Sequence, residues 1–126
     1  MTTSRSKAST VTLQPLEKAK LCLRLIEERK AFDPVLLQLS ELSSIADFFL
    51  IASGSSTRQV QAVARHLQRR MKEEGFRALS VEGEREGTWV LLDYGEVVIH
   101  LFYEPVREFY DLESLWVEAP RIEGDS

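Results

Sequence analysis

"ADFFLIASGSSTRQVQAVARHL", residues 46–67, joins an apolar run to a Gly-Ser-Ser turn and then to a segment with helical spacing. Phe48 to Ala52 is apolar throughout, which is the mark of an interior strand with both faces covered. Ser56 is a good helix N-cap, and Gln59 stands three places later at the spacing of a capping box. Val60, Val63, Ala64, Leu67 and Met71 then recur on one helical face, and Gly75 closes the helix. A buried strand turning sharply into an amphipathic helix belongs to a layered sheet-and-helix domain.

Upstream, Pro15 suits a first helical turn, and Leu16, Ala19, Cys22, Leu23, Leu25 and Ile26 carry helical spacing to about Lys30. Pro34 blocks its continuation, and Val35–Leu39 reads as a short strand. Downstream, strands are expected over 78–81, 88–94 and 96–103, with Asp93-Tyr94-Gly95 forming a tight hairpin. Pro105 opens a last helix whose apolar face would be Val106, Phe109, Tyr110, Leu112 and Trp116. The order predicts an α/β (α+β) fold: a single domain over 15–118 with about five strands in a mixed sheet flanked by helices. Residues 1–14 and 119–126 are expected to be flexible tails.

The 126 residues suffice for one hydrophobic core, and 44% apolar with 29% charged residues is a globular balance. No stretch is apolar enough to span a bilayer, so no membrane role is expected. One cysteine, Cys22, excludes an internal disulfide and suits a reducing compartment; a cytoplasmic location is expected. Charge is segregated along the chain. Residues 55–78 carry 6 bases and 2 acids, whereas residues 79–126 carry 3 bases and 12 acids. The acidic third would repel nucleic acid and attract a basic protein. Arg58, Arg65 and Arg69 lie on the polar face of the long helix, and a contact with rRNA there is a secondary expectation.

The Gly54-Ser55 turn invites a catalytic reading, with a nucleotidyltransferase-like enzyme as the alternative function. A P-loop needs a second glycine followed by lysine, yet the next glycine is Gly75 and the next lysine Lys72. Nucleotidyl transfer needs paired carboxylates for magnesium. The first acids after the turn are Glu73 and Glu74 at the far helix end, and Leu91 stands two places before Asp93. Cys22 reads as a small buried hydrophobe, His66 as a surface residue and His100 as a core or interface histidine. No catalytic residue, cofactor or metal site is expected.

The blocks "LSELSSIADFFLIASGSSTRQVQAVA", "GTWVLLDYGEVVIHLF" and "REFYDLESLW", in this order and spacing, resemble the Iojap-like family of ribosomal silencing factors. The resemblance covers about residues 14–119. Gln38, Glu96 and Ser114 depart from the common family pattern. It implies a nucleotidyltransferase-like core without the catalytic acids and a protein that is not an enzyme. It further implies binding to the large ribosomal subunit through its universal fourteenth protein, repression of translation by blocking the small subunit, and a homodimer off the ribosome. The residues expected to form the ribosomal-protein-binding surface are Trp89, Leu91, Asp93, Tyr94, His100, Phe102, Glu104, Glu108 and Tyr110. Aromatic anchors ringed by acids would suit a basic partner. Each apolar member has the competing reading of a core residue, and Asp93 that of a hairpin-turn residue.

Overall fold

The structure is a computed structural model and describes residues 13–40 and 42–122. Its elements are α1 (Pro15–Glu27), β1 (Phe32–Gln38), β2 (Phe48–Gly54), α2 (Thr57–Glu73), β3 (Ser80–Glu82), β4 (Trp89–Asp93), β5 (Val97–Tyr103), α3 (Glu104–Tyr110), a 3-10 turn (Leu112–Trp116) and β6 (Arg121–Ile122). The strands form one mixed sheet in the order β3-β4-β5-β2-β1-β6. Only β2 and β5 run parallel; the other pairs are antiparallel.

The sheet has six strands where the sequence predicts about five. The extra strand, β6, falls in the segment expected to be a loose tail. Leu37 pairs with Arg121 and Leu36 with Ile122, and Ala119 is buried. The polar sequence after residue 118 conceals this, because an edge strand of two residues carries no alternation to read. The segment 1–12 of the expected N-terminal tail lies outside the described residues.

All seven residues of β2 are buried. One face of the sheet, carrying Leu36, Phe48, Leu50, Val90, Leu92, Ile99 and Leu101, lies against α1 and α2. The helices supply Ala19, Cys22, Ile26, Val60, Val63, Leu67 and Met71 to this main core. The opposite face carries Leu37, Phe49, Ile51, Val98 and Phe102, and only α3, the 3-10 turn and the segment to Ala119 approach it. Two helices cover one face; a partial layer covers the other.

The turn that decides the fold is shaped by close approach. A Cβ on Gly54 would lie 2.8 Å from Val60 Cγ2 and 3.2 Å from Val60 N, so only glycine lets β2 run this close to α2. The Ser56 hydroxyl accepts from the Gln59 amide at 3.0 Å, the expected cap. The Gln59 side chain, however, takes the Ser55 amide at 2.6 Å and donates to the Lys30 carbonyl at 3.0 Å. The turn is thus tied to the end of α1. Pro34 sits inside β1 beside Asp33, which has φ 51°, where the pairing with β2 slips. It bends the strand and is not simply a helix stop.

Candidate functional site

Alternation puts Trp89, Leu91 and Asp93 on one face of β4, and Val98, His100 and Phe102 on one face of β5. The register pairs Trp89 with Phe102, Leu91 with His100 and Asp93 with Val98. These are therefore one patch, and it lies on the thinly covered face of the sheet. Trp89 is its centre. Its ring lies 4.8 Å from Phe102 and 5.0 Å from Tyr110, and its Nε1–H donates to His100 Nδ1 at 3.2 Å.

That bond fixes the histidine. Nδ1 accepts, so in the neutral ring Nε2 carries the proton, and Nε2 is buried with no hydrogen-bond partner. The Phe49 ring stands 4.5 Å away, and burial pushes the His100 pKa down to about 4. A charged imidazolium here would lack both water and a counter-ion, so the ring stays neutral at physiological pH.

Above this patch, α3 begins at Glu104 with Pro105 in its first turn. The single helix expected from Pro105 to Trp116 is broken at Asp111, which adopts φ 49° and starts the 3-10 turn. Two residues expected on the core face are instead outward on α3: Phe109 is 81% exposed and Tyr110 54%. Leu115 (75%) and Val117 (81%) follow on the outside, while Val106, Leu112 and Trp116 pack down. A groove of about 380 Å³ runs between Thr88, Trp89, Pro105, Val106, Phe109 and Tyr110.

Arg107, which sequence reading passed over, fastens this layer. Its Nη1 donates to Ser53 Oγ and to the Asp33 carbonyl, both at 2.8 Å. Nη2 donates to Glu113 Oε2 at 2.8 Å and Nε to Glu113 Oε1 at 3.4 Å. One guanidinium joins α3, the 3-10 turn, β1 and β2 through a bidentate pair. A hint was visible: Arg107 is the single arginine or lysine between Glu96 and Val117. Beside it, Asp33, Glu104, Glu108, Asp111 and Glu113 line a cavity of about 280 Å³. The acidic rim and the aromatic groove are adjacent because α3 borders both.

The nine expected residues separate into four groups. Tyr110, Glu108, Glu104, Trp89 and Leu91 reach the surface wholly or in part on this side. His100 and Phe102 lie beneath them, buried, so they support the patch from below. Tyr94 does not belong: it is 3% exposed in the main core on the helical side, because the hairpin reverses its direction. Burial also raises its phenol pKa. Asp93 takes its turn role, Oδ1 accepting the Gly95 amide at 2.8 Å with Gly95 at φ 87°.

The other basic and titratable sites also resolve. Arg58, Arg65 and Arg69 are exposed on α2. His66, expected at the surface, is 7% exposed; Nε2 lies 2.7 Å from Glu28 Oε1 and Nδ1 3.1 Å from Arg69. The hydrogen bond from His66 and the nearby Arg70 charge lower the Glu28 pKa. At the Gly54-Ser55 turn, the Ser55 amide and hydroxyl both donate to Gln59 Oε1. Among the described residues no three His, Cys, Asp or Glu side chains converge closely enough to hold a metal ion, and no helix is long and apolar enough to cross a membrane.

Known proteins resemble this chain in sequence and in fold. The family model described as "Ribosomal silencing factor during starvation" matches residues 12–126. The chain belongs to the ribosomal silencing factor family. It is 41% identical over 107 residues to Ribosomal silencing factor RsfS of Halalkalibacterium halodurans, spanning 85% of this chain and 92% of that protein. It is also 32% identical over 99 residues to mouse "Mitochondrial assembly of ribosomal large subunit protein 1", spanning 76% of this chain but 43% of that longer protein. A crystal structure of a Chromobacterium violaceum protein superposes with a TM-score of 0.81 at 35% identity, covering 90% of this chain and 94% of that one. In this ribosomal silencing factor, the groove around Trp89 and the acidic rim lie side by side along α3.

Proposed function

We propose that this protein binds the large ribosomal subunit through the basic universal fourteenth protein, using the thinly covered face of its sheet, and excludes the small subunit by bulk. The observation that carries the reading is the groove between Trp89, Phe109 and Tyr110 with Glu104 and Glu108 alongside. Aromatic side chains supply area that loses water on contact, and the carboxylates steer a cationic surface into place. Leu91 extends the contact, and His100, Phe102 and Asp93 set its shape from below and from the hairpin. The factor acts in the cytoplasm and is a homodimer when not on the ribosome.

The mechanism needs no chemical step. If the docked factor and the small subunit claim the same space, every increment of affinity for the factor opposes subunit joining by mass action. The test is to titrate the purified protein against mixed subunits and record the fraction that join. Wild type should lower that fraction in a saturable way. The double variant Phe109→Ala, Tyr110→Ala should need about tenfold more protein for the same effect. Subunits that join normally in a saturating excess of wild type would end the proposal.

A further inference from the structure

The outer surface of α2 faces away from the groove, since α2 packs on the opposite face of the sheet. Along it stand Arg58, Arg65, Arg69 and Lys72, separated by seven, four and three residues. At ~100° per residue these four lie within about 40° of one line, which extends about 21 Å. All four are exposed, and so is Ala62 between the first two. The stripe therefore has no bulky side chain interrupting it.

Its charge is almost unanswered. From Thr57 to Lys72 the helix contains no acid. Glu28 and Glu73 lie to one side, and both are engaged by Arg70, at 2.7 and 3.3 Å. Glu84 lies to the other side and accepts from Gln68 at 3.2 Å. Arg58, Arg65 and Lys72 form no ion pair among the described residues, and Arg69 touches only the His66 ring nitrogen. The arrangement also works against the helix. Arg58 sits in the first turn, at the positive end of the macrodipole, and Arg65–Arg69 and Arg69–Lys72 are like-charge neighbours. A chain of net charge −4 that holds four aligned cations at a local cost has a surface fitted to a linear anion.

We infer that the α2 stripe Arg58, Arg65, Arg69, Lys72 binds the phosphate backbone of RNA, as a second contact made while the sheet face holds its protein partner. The inference rests on the preceding reading for the source of that RNA, the ribosome itself. Guanidinium and ammonium groups in a row suit phosphates without reading sequence, so the contact adds affinity and orientation and not base specificity.

The test uses the full chain and a short single-stranded RNA of mixed sequence, followed by fluorescence anisotropy. Binding should be measurable at about 50 mM salt, with log K falling against log salt by about 0.7 per phosphate contact. The variant Arg58→Gln, Arg65→Gln, Lys72→Gln should bind about tenfold more weakly at that salt, with a salt slope shallower by about 2. Its melting temperature should hold or rise, since like charges are removed. Phe109→Ala, Tyr110→Ala should leave RNA affinity unchanged, which separates this contact from the groove. A wild-type chain that leaves the RNA free, or a triple variant that binds it equally well, overturns the inference and leaves the subunit-joining assay as an independent result. Competition by poly-glutamate as effective as competition by RNA at equal charge would assign the stripe to an acidic protein instead, and would equally overturn it.

Discussion

The two faces of the sheet differ in what covers them. On the helical side, α1 and α2 seal Leu50, Leu92 and Ile99 completely. On the other side a seven-residue helix and a 3-10 turn leave Phe109, Leu115 and Val117 largely in water. The first face stabilises the molecule. The second keeps apolar area available for a partner, because area already buried internally cannot be buried again on binding.

That contrast can be broken at several points. The largest effect should come from Leu50→Ala in the sealed core. Deleting a fully buried leucine side chain should lower stability by about 4 kcal/mol, seen as a shift in urea midpoint. An unchanged midpoint would mean the helical layer is not the stabilising one.

Arg107→Ala tests what holds the thin layer. Removing the guanidinium strands the Glu113 carboxylate and two acceptors, and should cost about 3 kcal/mol. The loss should concentrate locally, so amide exchange should accelerate in 104–116 more than in α2. Uniform acceleration would show that the layer and core unfold as one.

His100 offers a pH test of the same patch. Its folded pKa, about 4, lies below the ordinary value of 6.5, so the unfolded chain takes up the proton first as pH falls. Stability contributed by the neutral ring is full above about pH 6.5 and is lost progressively toward pH 4. The difference between wild type and His100→Gln should change by about 2 kcal/mol between about pH 7 and pH 5. A parallel pair of stability curves would place water or a counter-ion beside Nε2.

Phe109→Ala should have the smallest effect on stability, within about 0.5 kcal/mol, because the side chain is mostly solvated. Its effect should appear in co-sedimentation with large subunits. A large loss of stability would mean that this residue packs inward in solution.

Much of this was legible in the sequence. Alternation alone placed Trp89, Leu91 and Asp93 together, and Gly54 announced the tight corner. Tyr94 was misassigned because a residue inside a two-strand turn belongs to neither strand's alternation, and the hairpin geometry sends its ring to the opposite core. Phe109, expected on the core face of the last helix, is instead 81% exposed, and the left-handed backbone at Asp111 ends a helix that apolar spacing carries on to Trp116. Leu36 and Leu37 gave no sign that a later polar segment would pair with them.

The sequence by itself determined which residues share a face: a period of two along strands and 3.6 along helices is imposed by local backbone geometry. It determined the family too, through three blocks in fixed order. It did not determine which face of the sheet would be sealed. Alternation is symmetric between the two sides, and the asymmetry arises only when α1 and α2 pack together on one of them. Tertiary structure decided that Trp89 would stand on the thinly covered side and the arginine stripe on the other, since both outcomes depend on contacts between residues far apart in the chain.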